Sequence, residues 1–253
     1  MSAFDVSATS YDRFMGRYSR QLSPQLADLA GVEAGQTALD VGCGPGALTA
    51  ELVERLGPAS VFAVDPSASF VDAMAERFPG VAVERAPAER LPFADESFDA
   101  ALAQLVVPFM SDPVAGLREM ARVTVDGGVV AACGWDLAGD CSPLTAFWTG
   151  VHVIMPGARD EAGLKGSGEG QLPAILEAAG IGGVREVALG VEVEHASFED
   201  WWEPYTYGVG PAGAFVGRLD PSTRDRVRAA CHEQLGDGPF TITARAWTAT
   251  GIA

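Results

Sequence analysis

The segment Leu39-Asp40-Val41-Gly42-Cys43-Gly44-Pro45-Gly46 sets glycine at alternate positions between a short apolar run and a helical pattern. Glycine lets the backbone turn tightly and lets a ligand come close, and the helix that follows offers free N–H groups at its start. A turn built for a pyrophosphate has the spacing G-x-G-x-x-G. Here the spacing is G-x-G-x-G, and Pro45 removes one N–H from the turn. A ligand without phosphates would not miss that donor. Asp65 ends a second apolar run about 20 residues past the glycines, where a carboxylate can accept from both ribose hydroxyls. Aspartate is also a turn former at strand ends, and the glycine turn ahead of it is what favours the ribose role.

These groups need a sheet to hold them. Thr37–Val41, Ser60–Val64, Val81–Arg85, Phe98–Leu105 and Val129–Gly134 read as strands. Between them, Ala47–Leu56, Ser67–Phe78 and Val114–Val123 have helical period. Short apolar strands alternating with helices predict a doubly wound, mostly parallel sheet. Before it, residues 1–34 read as helical, with Ser23 as N-cap and Pro24 at the first helical position. After it, Gln171–Ala179 reads as a helix, and Val184–Glu194 and Phe240–Ala249 as alternating strands. The stretches 137–170 and 195–239 are too long for ordinary loops and predict lids or binding segments with helices of their own. The chain thus reads as a single domain over 1–253, with a ligand-binding core at 35–136 and a final strand within 240–253.

The formal net charge is −17, which repels phosphate backbones and anionic lipid and speaks against nucleic-acid and membrane partners. No C-x-x-C pair and no histidine pair at ligand spacing occurs, so no metal is expected. No basic stretch followed by an apolar run opens the chain, and no apolar segment approaches the roughly 20 residues of a membrane helix. A cytoplasmic protein with free thiols, monomeric or homodimeric, is the expectation.

LDVGCGPG, then VFAVDPS, then AERLPFADESFDAAL resemble, in order, the class I S-adenosylmethionine-dependent methyltransferases, especially those acting on small molecules. The resemblance runs from about Tyr11 to Asp136 and implies a Rossmann-like α/β fold: a seven-stranded sheet whose last strand is antiparallel, with lid insertions. It implies S-adenosyl-L-methionine as cofactor, S-adenosyl-L-homocysteine as product and a small-molecule acceptor. Gly42, Gly44 and Gly46 would pass under the methionine part and ribose, with Cys43 as a small filler between them. Asp40 would orient the turn and the amino group, and Asp65 would hold the ribose hydroxyls. Pro66 and Ser67 would lie beside the adenine, Ala88 and Glu89 on its other edge, and Gln104 near the methyl group. Tyr11, Met15 and Arg17 resemble an N-terminal cover. Related sequences often carry an aspartate just before the Ala-Glu pair; Pro87 stands there instead, which shifts adenine recognition toward the Ala88 N–H.

Methyl transfer from a sulfonium is an in-line displacement that needs alignment, exclusion of water and, for a hydroxyl or protonated amine, a base within reach. His152, His195, Glu203 and Tyr205 are candidate bases, each with a structural role as the alternative. Phe147, Trp148, Phe198, Trp201, Trp202, Tyr205 and Tyr207 either line an acceptor pocket or pack the lids against the sheet. A module that binds the cofactor without transferring methyl is the alternative function, and a nucleotide-dependent oxidoreductase is a third that the glycine spacing opposes.

Overall fold

A computed structural model describes residues 6–253; the first residues of the predicted cover segment lie outside them. Strands β1 (Ala38–Val41), β2 (Val61–Asp65), β3 (Ala82–Arg85), β4 (Phe98–Gln104), β5 (Thr124–Trp135), β6 (Gly182–His195) and β7 (Phe240–Ile252) form one sheet in the order β3-β2-β1-β4-β5-β7-β6. β1 pairs in parallel with β2 and β4, β2 with β3, and β4 with β5. β7 is antiparallel to both β5 and β6. All four residues of β1 are buried, as expected of a central parallel strand covered on both faces.

The chain builds outward from β1 through β2 to β3, then returns to lay β4 on the other side of β1. The strand order therefore reverses between β1 and β4, and the carboxyl ends of strands at such a reversal leave a crevice. The glycine turn leaves the end of β1 and Gln104 stands at the end of β4, so the fold sets these two predicted elements on either side of that crevice.

Helices α1 (Ala8–Tyr11) and α2 (Arg17–Leu29) are joined by a wider turn at Asp12–Gly16. α3 (Ala47–Leu56), α4 (Ala68–Arg77) and α5 (Pro113–Val123) connect the strands. α6 (Thr145–Ile154) lies in the first insertion, and α7 (Gln171–Ala178) precedes β6. α8 (Phe198–Trp202), α9 (Gly210–Arg218) and α10 (Pro221–Leu235) fill the second insertion. Gly150 of α6 faces Cys231 of α10 with no room for a Cβ, so the two insertions pack directly on each other.

Two local readings of the sequence are corrected. Ser23 and Pro24 do not open a helix but lie inside α2. Tyr18, Leu22 and Leu26, spaced four apart, are buried. Burial of such side chains is worth about 1.5–3 kcal/mol each, which outweighs the ~3 kcal/mol cost of an internal proline. The Ser23 hydroxyl donates back to the Ser19 carbonyl at 2.9 Å instead of capping. β5 begins at Thr124, not Val129: Thr124 pairs with Phe98, and the register shifts before Val129 pairs with Ala100, so the glycine pair forms an irregularity within the strand.

Candidate functional site

The turn after β1 is tied to the neighbouring strand. The N–H groups of Gly42 and Cys43 both donate to the Val64 carbonyl, at 2.8 and 3.0 Å. Its glycines divide the work. A Cβ on Gly46 would stand 2.5 Å from Met74 Sδ, and one on Gly42 would stand 2.5 Å from Val106 Cγ2. A Cβ on Gly44 would meet nothing within 4 Å. Gly42 and Gly46 thus let the turn nest against its surroundings, whereas Gly44 borders open space.

Asp65 is buried, and its two carboxylate oxygens accept from the Gly44 N–H at 2.9 Å and the Ser67 N–H at 2.8 Å. Burial pushes its pKa up, and the two N–H donors oppose that rise. Each oxygen keeps a lone pair for a further donor. Asp40 lies beneath the turn and accepts from the Thr49 hydroxyl of α3 at 2.6 Å. Burial pushes Asp40 up to about 7, against the pull of Thr49 and with a push from Asp65. Cys43 is buried and its thiol is pushed well up by burial, so it stays a thiol.

A cavity of about 490 Å³ opens in the crevice. Of the predicted cofactor residues, Gly42, Gly44, Asp65, Pro66 and Ser67 line one side. Ala88, Glu89, Gln104 and Tyr11 line the others. Among the described residues the Ala88 N–H has no acceptor. Gln104 donates from Nε2 to the Ser19 carbonyl at 3.2 Å, and its buried Oε1 has no partner. Tyr11 meets Phe70 edge to face at 5.6 Å, and burial holds its hydroxyl neutral by pushing it up to about 12.

Other predicted cofactor residues stand elsewhere. Asp40, Cys43 and Gly46 shape the turn from behind and do not line the cavity. Arg17 is turned away and binds His195 Nδ1 at 2.9 Å and Asp200 at 3.1 Å. Met15 lines a second, smaller chamber. The reading missed Leu105, Val106 and Phe109 on the segment after β4. Their signal was position, because they directly follow Gln104. Leu105 adopts φ +65°, a conformation that disfavours a side chain with a Cβ and marks a backbone constrained at the crevice.

The second chamber, about 70 Å³, shares Tyr11, Leu105 and Phe109 with the first. Phe14, Met15, Trp135 and Leu144 make its walls apolar, and Glu161 lines it too. Sequence reasoning passed over Glu161 because nothing in its Gly-rich neighbourhood signals burial.

None of the four candidate bases lines either chamber. His152 faces the Ala158 carbonyl at 3.2 Å and Asp160 at 3.5 Å. His195 is buried between Arg17 and the Tyr18 hydroxyl, 2.8 Å from its Nε2, and burial with the Arg17 charge pushes it down to about 4. Glu203 pairs with Arg13 at the surface at 3.0 Å. Tyr205 is buried and donates to the Pro143 carbonyl at 3.3 Å. The aromatics of the insertions also pack on one another. Phe147 stacks on Tyr205 at 4.5 Å, Phe198 on Trp202 at 6.2 Å, and Trp201 lies 4.9 Å from Tyr205. Trp148 meets Phe215, and Tyr207 carries Arg13 over its ring. These large apolar rings bury area against one another, and none of the seven lines either chamber.

Residues 39–132 match the family described as a methyltransferase domain. The chain is 35% identical over 154 residues to a malonyl-[acyl-carrier protein] O-methyltransferase of Erwinia billingiae, covering 61% of this chain and 60% of the relative. It is 39% identical over 124 residues to a demethylmenaquinone methyltransferase of Beutenbergia cavernae, covering 49% and 48%. The chain spans about half the length of the curated relatives it matches. A crystal structure from Anabaena variabilis, of a protein named a putative methyltransferase from an antibiotic biosynthesis pathway, is similar in fold. Its TM-score is 0.62 at 17% identity, over 92% of this chain and 97% of that one.

Proposed function

We propose that this chain, whose residues 39–132 match a methyltransferase domain, is a class I methyltransferase that binds S-adenosylmethionine in the larger cavity and transfers the methyl group to a small molecule held in the adjoining chamber. The observation that carries this reading is the set of unspent polar groups around the open space at Gly44. Asp65 has lone pairs left for the two ribose hydroxyls. The Ala88 N–H suits a ring nitrogen of adenine, in keeping with Pro87 at the preceding position. The orphaned Oε1 of Gln104 suits one N–H of the α-ammonium of the methionine part; a buried acceptor without a donor costs about 1–3 kcal/mol, which that N–H would remove.

When bound, the cofactor supplies an electrophilic methyl group on a sulfonium. The chain's own part is to orient and to exclude water. Tyr11, on the N-terminal segment, closes over the cavity beside Phe70. Leu105 and Phe109 form the border between the two chambers, so an acceptor group would meet the methyl there. Isothermal calorimetry tests the reading. Both S-adenosylmethionine and S-adenosylhomocysteine should bind with micromolar affinity, and a nicotinamide dinucleotide should not. Heat from the dinucleotide and none from the sulfur compounds would overturn it.

A further inference from the structure

Among the described residues, Glu161 and Tyr11 are the ionisable side chains that line the apolar chamber. Glu161 is 5% exposed and lies on the segment after α6. Its Oε2 accepts from the indole N–H of Trp148 at 2.9 Å, and no donor among the described residues is paired with Oε1. Glu161 shares the chamber with Phe14, Trp135, Leu137 and Leu144, and a carboxylate in such apolar surroundings is stabilised by a ligand that brings it a donor. The chamber shares its border with the larger cavity, so a group at Glu161 is on the side from which an acceptor would approach.

We propose that Glu161 is the anchor and proton acceptor for the hydroxyl of an apolar acceptor, which makes the transfer an O-methylation. This rests on the reading of the larger cavity as the cofactor site. An ammonium carries three N–H donors and a hydroxyl carries one. Glu161 Oε1 is one acceptor and the Tyr11 hydroxyl is the other side-chain oxygen on the chamber wall, so a hydroxyl with its single donor is satisfied there, whereas an ammonium keeps at least one N–H without a side-chain acceptor. In the step, the acceptor O–H gives its proton to Glu161 Oε1 and the oxygen forms the bond to the methyl carbon. The S–CH3 bond breaks, and its electron pair stays on sulfur as a neutral thioether. Glu161, now a carboxylic acid, returns the proton to water when the product leaves. Burial pushes Glu161 up to about 7, which suits a base working near neutrality.

The test is ligand-observed NMR titration of the whole chain loaded with S-adenosylhomocysteine, using p-cresol and benzylamine as probes. On the wild type, p-cresol should bind at least tenfold more tightly than benzylamine. Glu161→Gln removes the negative charge that accepts from the hydroxyl and with it a charge-assisted hydrogen bond, so p-cresol should bind at least tenfold more weakly while S-adenosylhomocysteine binds as before. Methylation of p-cresol, read separately, should fall roughly 100-fold or more in that variant. No p-cresol binding to the wild type, benzylamine binding as well as p-cresol, or equal p-cresol affinity in Glu161→Gln overturns the proposal and leaves the cofactor reading intact. Failure of S-adenosylhomocysteine to bind the wild type removes both. The comparison of the two probes needs only the wild type, so it stands even if the variant does not fold.

Discussion

At the scale of single residues, the turn's three glycines give separable expectations. Ala at Gly46 would collide with Met74 and Phe78, so Gly46→Ala should unfold at markedly lower denaturant. Ala at Gly44 has space, and its cost to folding is the left-handed backbone alone, about 1–2 kcal/mol. Its methyl would, however, enter the cradle. Gly44→Ala should therefore keep a cooperative unfolding transition and lose affinity for S-adenosylmethionine. Calorimetry and urea titration on the two variants check this, and equal affinity for wild type and Gly44→Ala would remove that residue from the site. Asp65→Ala should weaken binding by about 1–3 kcal/mol, since ribose hydroxyls would lose their acceptor. Much of the cradle was legible at this scale because glycine, proline and aspartate each do something that few other side chains can. The partners of the histidines were not legible. In the sequence His195 reads either as a candidate base or as a structural histidine, and only the folding of β6 against α2 brings Arg17 and Tyr18 to its two nitrogens.

At the scale of elements, the alternation of strands and helices from Thr37 to Gly134 was readable because each strand is a short apolar run closed by a turn former. The start of α2 was not, because a proline that looks like a helix opening is overridden by a buried stripe contributed by distant elements. The same helix and the turn before it are fastened to the end of β6 and the second insertion through a polar cluster. Tyr18 meets His195 Nε2 at 2.8 Å, Arg17 meets Asp200 at 3.1 Å, and Arg13 meets Glu203 at 3.0 Å. The Arg13 pair is surface-exposed and worth little, whereas the Tyr18–His195 bond is buried. Tyr18→Phe would leave the imidazole nitrogen without its partner, and we expect a loss of about 1–3 kcal/mol in urea unfolding. Tyr18 does not line the larger cavity, so cofactor affinity should hold. A variant as stable as wild type would mean that the fastening is made elsewhere.

At the scale of the molecule, stability follows pH through three buried groups. Asp40 and Glu161 are each pushed up to about 7 by burial, so the folded chain holds protons there that the unfolded chain has released. Their contribution is full below the ordinary carboxylate range and is lost as pH rises through about 7. His195 is pushed down to about 4, so its contribution has the opposite slope between there and the ordinary histidine range. Above that range only the two carboxyls still act. Between pH 6.5 and 8 the wild type should lose stability more steeply than Glu161→Gln, read as urea midpoints; parallel curves would mean that Glu161 ionises as freely folded as unfolded. The formal charge of −17 adds self-repulsion that salt screens, so the two proteins should be compared at one ionic strength.

The most direct measurement of the central claim is a crystal structure of the chain grown with S-adenosylhomocysteine. The account predicts its ribose hydroxyls on Asp65, its adenine against the Ala88 N–H, and its amino group on Gln104 Oε1. The thioether should point toward the border at Leu105. Density for the compound anywhere else, or a cradle at Gly44 that stays closed to it at saturating concentration, would contradict the account.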